Sequence, residues 1–238
     1  MKNVITIAWR EFKAYFLSPI AYVYLVVFLV AVSWFFFRAF FIIGQADLRM
    51  LFDMMPWVFL FFVPAVTMGK WAEERKLGTL ETLFTLPVRD VEIVVAKFLA
   101  ALALVALSLA LTIPIALTVA LLGNMDWGPA IGGYVGCLLL GGAYIAIGLV
   151  ISALTESQII AFVGGVAACF LMLVVGTPFV AGGGASTLAQ FLQYLGLGTH
   201  FTSLSRGVID SRDVIYYLSI VGFFMYLNLQ VLKARARR

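Results

Sequence analysis

The side chains able to do chemistry are few and scattered. The sequence holds one histidine, His200, and two cysteines, Cys137 and Cys169. A metal site needs several such ligands at close spacing, and a disulfide framework needs more cysteines than this. Both cysteines sit in apolar runs, so neither chemistry is expected. His200 has Thr199 and Thr202 as neighbours, and it reads as a hydrogen-bonded polar residue. Met50, Met54 and Met55 are soft ligands by type, but flexible packing accounts for them better. Gly69-Lys70 is the one Gly-Lys pair, followed by Trp71, with Pro64 where a phosphate-binding loop needs its first glycine. The chain is therefore not expected to hold ATP by that route. No catalytic constellation emerges, so no enzyme activity, cofactor or metal is expected of it.

Charge is as sparse as chemistry. The 238 residues are 63% apolar and 12% charged, against roughly 25% charged in a soluble domain. Mean hydropathy is +1.07 and the pI is near 9.1. So few charges cannot cover a soluble globule of this size, which excludes soluble enzymes and disordered tails. The basic balance reports membrane topology rather than nucleic acid, which is not an expected partner. Arg38 sits near the end of an apolar run, where it can snorkel, and Glu156 falls in a short turn. A proton- or sodium-coupled carrier needs ionisable groups at mid-membrane, so the energy source must lie elsewhere.

The elements that carry these residues are apolar helices. At roughly 20 residues per span, six fit: 19–43, 54–69, 94–122, 130–154, 159–181 and 213–232. Barrel strands would be shorter and strictly alternating. The first run is too long for a cleaved signal peptide and lacks a small-residue exit site. With the N-terminus inside, twelve lysines and arginines lie on the inner side and four on the outer side. That places both termini in the cytoplasm. The expected fold class is all-α, a polytopic membrane protein forming one domain over residues 1–238. Pro56, Pro64, Pro114 and Pro178 permit kinks. Gly132-x-x-x-Gly136 and Gly164-x-x-x-Ala168 suit close helix packing within one subunit.

Residues 1–18 read as a helix lying on the membrane. Ile5, Trp9, Phe12 and Phe16 follow helical spacing on one face, and Lys2, Thr6, Arg10 and Lys13 gather on another. A basic amphipathic helix of this kind rests at the interface. Ser18-Pro19 breaks it, and Pro19 suits the first turn of the next helix. Trp9, Arg10, Phe12 and Lys13 are its candidate interaction residues, with membrane lipids and a cytoplasmic partner as their targets.

The most informative segment is the inner connection, 70–93. Gly78 can cap the helix arriving from the membrane. Thr79 can start a short new helix, and Glu81 suits its positive N-terminal end. Pro87 stops that helix, and Asp90 can cap the next. Leu80, Leu83 and Phe84 fall near one face. Apolar side chains on a charged loop need a protein surface or lipid to cover them.

The run Glu74-x-x-x-Gly78-Thr79-x-Glu81-x-Leu83-x-x-x-Pro87-Val88, followed by Lys97, resembles the coupling-helix signature of ABC-2 type permeases. These are membrane subunits of ABC transporters. Phe201, Leu204, Gly207, Val208, Ile209 and Asp210, running into Tyr216-Tyr217-Leu218, resemble the gliding-motility (GldF-like) permease group, and the copper-linked (NosY-like) group shares much of that pattern. The resemblance implies a coupling site at Glu74, Gly78, Thr79, Leu80, Glu81, Leu83, Phe84 and Pro87. It implies a cytoplasmic ABC ATPase subunit that binds the ATP and magnesium, a second permease copy or paralogue, and room for a periplasmic auxiliary protein. The expected location is the cytoplasmic (inner) membrane. For the outer segment, 182–212, it implies two short re-entrant helices before the last span. Those map onto the apolar spacing of Leu188, Phe191, Leu192 and Leu195 and onto the block from Thr199 to Ile209. The competing expectation is a membrane anchor that recruits an ATPase and moves nothing, since the runs Phe35 to Phe37 and Phe59 to Phe62 could seal a pathway.

Overall fold

The structure is a computed structural model, and it describes residues 2–45, 47–79, 88–177, 187–208 and 210–236. Among these, every regular element is a helix. In chain order they are α1 (Lys2–Leu17), α2 (Pro19–Ile43), α3 (Arg49–Thr67), α4 (Gly69–Lys76) and α5 (Asp90–Ala110). There follow α6 (Ile113–Leu122), α7 (Trp127–Leu154), α8 (Gln158–Val174), α9 (Thr187–Leu195), α10 (Leu197–Ser205) and α11 (Ser211–Ala236).

The helix ends follow local chemistry. The Ser18 side chain accepts the Ile20 N–H, and Pro19 takes the first position of α2, where no N–H is needed. Gly44 ends α2 at φ 65° and returns its N–H to the Phe40 carbonyl. The α3 helix begins at Arg49, five residues before the expected start of its apolar run, because the Asp47 carboxylate accepts the Arg49 N–H at 2.8 Å. Asp90 was the expected cap of α5, but Arg89 holds that position. The Glu92 carboxylate reaches back to the Arg89 N–H at 3.3 Å, so the acid three residues into the helix closes its first turn. Pro114 separates α5 from α6 at Leu111-Thr112, where the Thr112 hydroxyl donates to the Leu109 carbonyl at 2.7 Å.

Among the described residues, five helical stretches are long and apolar enough to cross a bilayer: Pro19–Ile43, Arg49–Lys76, Asp90–Leu122, Trp127–Leu154 and Ser211–Ala234. Gln158–Val174 is equally apolar but has 17 residues. The end of the expected fifth span, from Pro178 onward, lies outside the described residues.

The long glycine-rich α7 is the axis of the bundle. Its apolar window is 78% buried, against 17% for α2 and for α11. It packs on α3, α5, α8, α10 and α11. Glycine makes the approach of α10 possible: a Cβ on Gly136 would stand 2.8 Å from the Leu204 Cβ, and one on Gly132 would stand 2.7 Å from the Gly207 Cα. Both small-residue motifs thus face partners in the same chain, with Gly164 set against Ile151.

Candidate functional site

At one end of the bundle, one charged side chain of α1, two of α4 and one of α5 meet. Glu11 of α1 pairs with Lys70 of α4 at 3.0 Å and with Lys97 of α5 at 3.5 Å. Lys97 also pairs closely with Glu74 of α4 and donates to the Lys70 carbonyl at 3.2 Å. Its residue is 1% exposed. An ammonium that deep survives only where anions and acceptors surround it, and here two carboxylates and a carbonyl do so. Aromatic faces complete the cage. The Lys97 ammonium lies 4.8 Å from the Trp71 ring centroid, and that of Lys70 lies 3.7 Å from the Tyr15 ring. The Tyr15 hydroxyl donates to the Val66 carbonyl, tying α1 to α3.

Burial opposes ionisation of Glu11, but Lys97 and Lys70 together hold its carboxyl below the usual carboxylate range. A depressed folded value stabilises the protein fully above the unfolded carboxylate value, about 4.3, and that contribution is lost as pH falls through the folded value. The acid limb of a melting-temperature profile is therefore expected to be steeper for the native chain than for Glu11→Gln. Superimposable limbs would show that the carboxylate is not part of the joint.

A second set of bonds fixes α4 at its root. The Ser152 hydroxyl of α7 donates to the Met68 carbonyl at 2.9 Å and accepts the Trp71 and Ala72 N–H groups, each at 3.2 Å. A side chain inserted at this joint sets how α4 leaves α3. Ser152 is fully buried, so Ser152→Ala leaves three backbone groups short of a partner. Its expected cost is about 2–3 kcal/mol, read as the shift of the unfolding transition in detergent, whereas Ser152→Thr retains the hydroxyl. Arg75 then pairs with Glu156 in the α7–α8 turn at 2.8 Å.

Beyond α4, Gly78 has φ 69° and donates to the Arg75 carbonyl at 3.0 Å. Only glycine adopts that backbone readily. The Thr79 hydroxyl donates backward to the Glu74 carbonyl at 3.2 Å, so it closes the helix behind it. Leu80, Glu81, Leu83, Phe84 and Pro87 lie outside the described residues. Of the α1 candidates, Phe12 packs on the core, while Trp9 and Arg10 are exposed. Lys13 is also exposed, 5.2 Å from the Trp9 ring. Glu11 and Tyr15, which the amphipathic pattern did not single out, both reach Lys70 of α4.

The chemistry-bearing residues elsewhere are held in structural roles. His200 is bonded at both ring nitrogens, Nδ1 to the Asp213 carboxylate at 2.7 Å and Nε2 to the Tyr194 carbonyl at 3.0 Å. It stacks on Tyr216 with centroids 3.9 Å apart. It thereby clasps α9 and α10 to the start of α11. Met55 is buried in the core while Met50 is exposed, so the methionines do not converge. Among the described residues no group of three or more His, Cys, Asp or Glu could hold a metal ion.

These buried ion pairs join an amphipathic helix to the roots of a charged connection. Comparison with known families decides where the chain belongs: the model for the ABC-2 family transporter protein matches residues 44–227. The chain belongs to the ABC-2 transporter family. It is a multi-pass membrane protein and a transport component, and ABC-2 permeases generally work with an ABC ATPase partner. No curated protein matches this ABC-2 chain. The matched region begins after α2 and takes in α3 to α10, so it contains Lys70, Glu74 and Lys97 of the joint. Glu11, the residue that brings α1 into it, stands outside the match.

Proposed function

We propose that this ABC-2 chain is the permease subunit of an ABC transporter, driven by ATP hydrolysis on a separate cytoplasmic subunit that binds the ATP and magnesium. The observation that carries the reading is the Glu11–Lys70–Glu74–Lys97 joint. It locks α1, α4 and α5 together at the two ends of the 70–93 connection. A push on that connection cannot move one helix alone, because separating them would expose buried charges. Displacement therefore passes to α3, α5 and, through Ser152 and Glu156, to α7 and α8.

In this reading both termini are cytoplasmic and α8, the fifth in chain order, completes a set of six spans. The partly exposed α9 lies in the outer interface while α10, with Leu197, Phe201 and Leu204 buried, packs into the bundle. Two such subunits line a path between them. The coupling free energy links nucleotide state to pathway state. A groove between α3 and α8, lined by Trp57, Phe61, Phe162 and Phe170 among others, is almost wholly apolar, which suits a hydrophobic or amphiphilic substrate.

The test is reconstitution of the chain with its ATPase in sealed vesicles. The expected result is nucleotide-dependent movement of an amphiphilic fluorophore that stops when ATP is replaced by a non-hydrolysable analogue. Stable complex formation with no movement of any solute would favour a scaffold.

A further inference from the structure

We infer that His200 is the pin of a proton-operated clasp: protonated, it holds α9 against α10 and α11, and on losing a proton it lets α9 go while α10 stays in the bundle. Both ring nitrogens of His200 face oxygens that accept hydrogen bonds, the Asp213 carboxylate at Nδ1 and the Tyr194 carbonyl at Nε2. A neutral imidazole has one N–H and serves one acceptor. The Tyr194 carbonyl has no proton to give, so Nε2 must supply one. A second proton must lie between Nδ1 and the carboxylate, whichever of the two holds it. The arrangement therefore needs one proton more than a neutral ring beside an ionised Asp213 possesses.

The carboxylate decides which contact fails when that proton leaves. Asp213 is 7% exposed, and a buried carboxylate stripped of its donor is costlier than a carbonyl stripped of its own. The remaining proton stays at Nδ1, where the bond is charge-assisted. Nε2 then turns a lone pair toward the Tyr194 oxygen at 3.0 Å, and the two repel.

The α9 helix is the element free to respond. Three successive carbonyls of its last turn, those of Gln193, Tyr194 and Leu195, accept from Thr199 at 2.8 Å, from His200, and from Tyr216 at 2.6 Å. A helix end leaves such carbonyls without partners of its own. The imidazolium is the one charged donor of the three, and it stands at the negative end of the helix. Elsewhere α9 has little hold: none of its described side chains is buried, and Phe191 and Tyr194 are each 64% exposed. In contrast, α10 buries Leu197, Phe201 and Leu204. Among the described residues, the titratable groups facing the ring are Asp213 and Tyr216 of α11 and Tyr194 of α9. Arg206, Asp210 and Arg212 are exposed, as are Arg49 and Asp53 of α3. The other helices packed on α10 are α7 and α8, which bring tyrosine and cysteine but no Asp, Glu, Lys or Arg. In the membrane placement proposed above, the clasp lies at the outer end of the bundle and reads the pH there; the clasp itself does not depend on that placement.

His200 is the one histidine of the sequence, so the full chain carrying nitrogen-labelled histidine, purified in detergent without a polyhistidine tag, gives a single ring to read by NMR. Both ring nitrogens are expected to be protonated at about pH 5, and Nε2 alone is expected to have lost its proton at about pH 8. Movement of α9 is read from spin labels at Gln190→Cys and Leu121→Cys, exposed positions on α9 and α6, while Cys137 and Cys169 are buried. The population of displaced α9 is expected to rise roughly tenfold between the two pH values. Asp213→Asn offers Nδ1 an amide N–H, which keeps the proton of a neutral ring on Nε2, and is expected to hold α9 clasped at both pH values. A ring unchanged across the range, a proton kept on Nε2 in the native chain at the higher pH, label distances that do not change, or a displacement that persists in a folded Asp213→Asn protein would each overturn the clasp. The measurements use neither ATPase nor nucleotide, so failure of the transport reading leaves them unaffected.

Discussion

Lys97→Ala is expected to destabilise the protein by about 3–5 kcal/mol, the largest effect of any single substitution at the joint. Among the described residues, the ammonium is the one cation that pairs with both Glu11 and Glu74. Its removal leaves Glu11 with Lys70 alone and leaves Glu74 without its partner. The Glu74 Oε2 atom is already buried without a hydrogen bond, so the carboxylate has no reserve of acceptor sites satisfied elsewhere. Lys97→Met keeps the aliphatic stem and its packing, and so isolates the charge from the cavity. Adding Glu74→Gln to Lys97→Met removes the stranded anion and is expected to recover part of the loss. Such a cycle reports the pair rather than either residue. Denaturant or thermal unfolding in detergent measures these variants together with Glu74→Gln alone, which closes the cycle. A Lys97→Ala protein within about 0.5 kcal/mol of the native chain would fall in the range of ordinary surface substitutions, and the joint would then carry no load. In the reconstituted transporter, Lys97→Met is further expected to keep its ATPase bound while ATP turnover and transport become uncoupled.

Binding of that ATPase is expected to fall by about 100-fold or more when Leu83 and Phe84 are both replaced by aspartate. These residues belong to the 70–93 connection, where Leu80, Leu83 and Phe84 share helical spacing between Gly78 and Pro87. Apolar anchors at the centre of an interface commonly carry 2 kcal/mol or more each, and an aspartate in their place would be buried without a partner. Glu81→Lys reverses the charge on the same short segment and is expected to act in the same direction. Because none of these positions lies within an apolar span, membrane insertion is expected to be unchanged, which fractionation checks. Co-purification with the ATPase measures the effect. If the ATPase co-purifies in native amounts, the contact lies elsewhere.

Where a signal is local, it can be read from the chain alone. The break at Ser18-Pro19, the glycine turn at Gly78 and the interruption at Pro114 each follow from the backbone preferences of one or two residues. The apolar runs follow from composition over roughly 20 positions. The spacing around Glu74 and Gly78 to Pro87 pointed to the permease family, and the match over residues 44–227 places the chain there. Helix starts were less legible. Asp47 and Glu92 begin α3 and α5 through side-chain bonds that shift the boundary by a few residues.

The joint itself was not legible. Glu11 and Lys97 are 86 residues apart, and Trp71 and Ser152 are 81 apart. Nothing in the amphipathic pattern of α1 marks Glu11 over Arg10 or Lys13, since a lone acid among basic residues reads as a solvated charge. Sequence by itself determined that this protein is helical, lives in a membrane, and carries one charged connection in which apolar residues fall at helical spacing, because hydrophobicity and backbone preference act over a few turns of chain. Only the tertiary structure decided which charges are buried together and which helices they tie to one another. Ion pairing in a low-dielectric interior depends on distances of a few ångströms between elements, and no period along the chain encodes those distances.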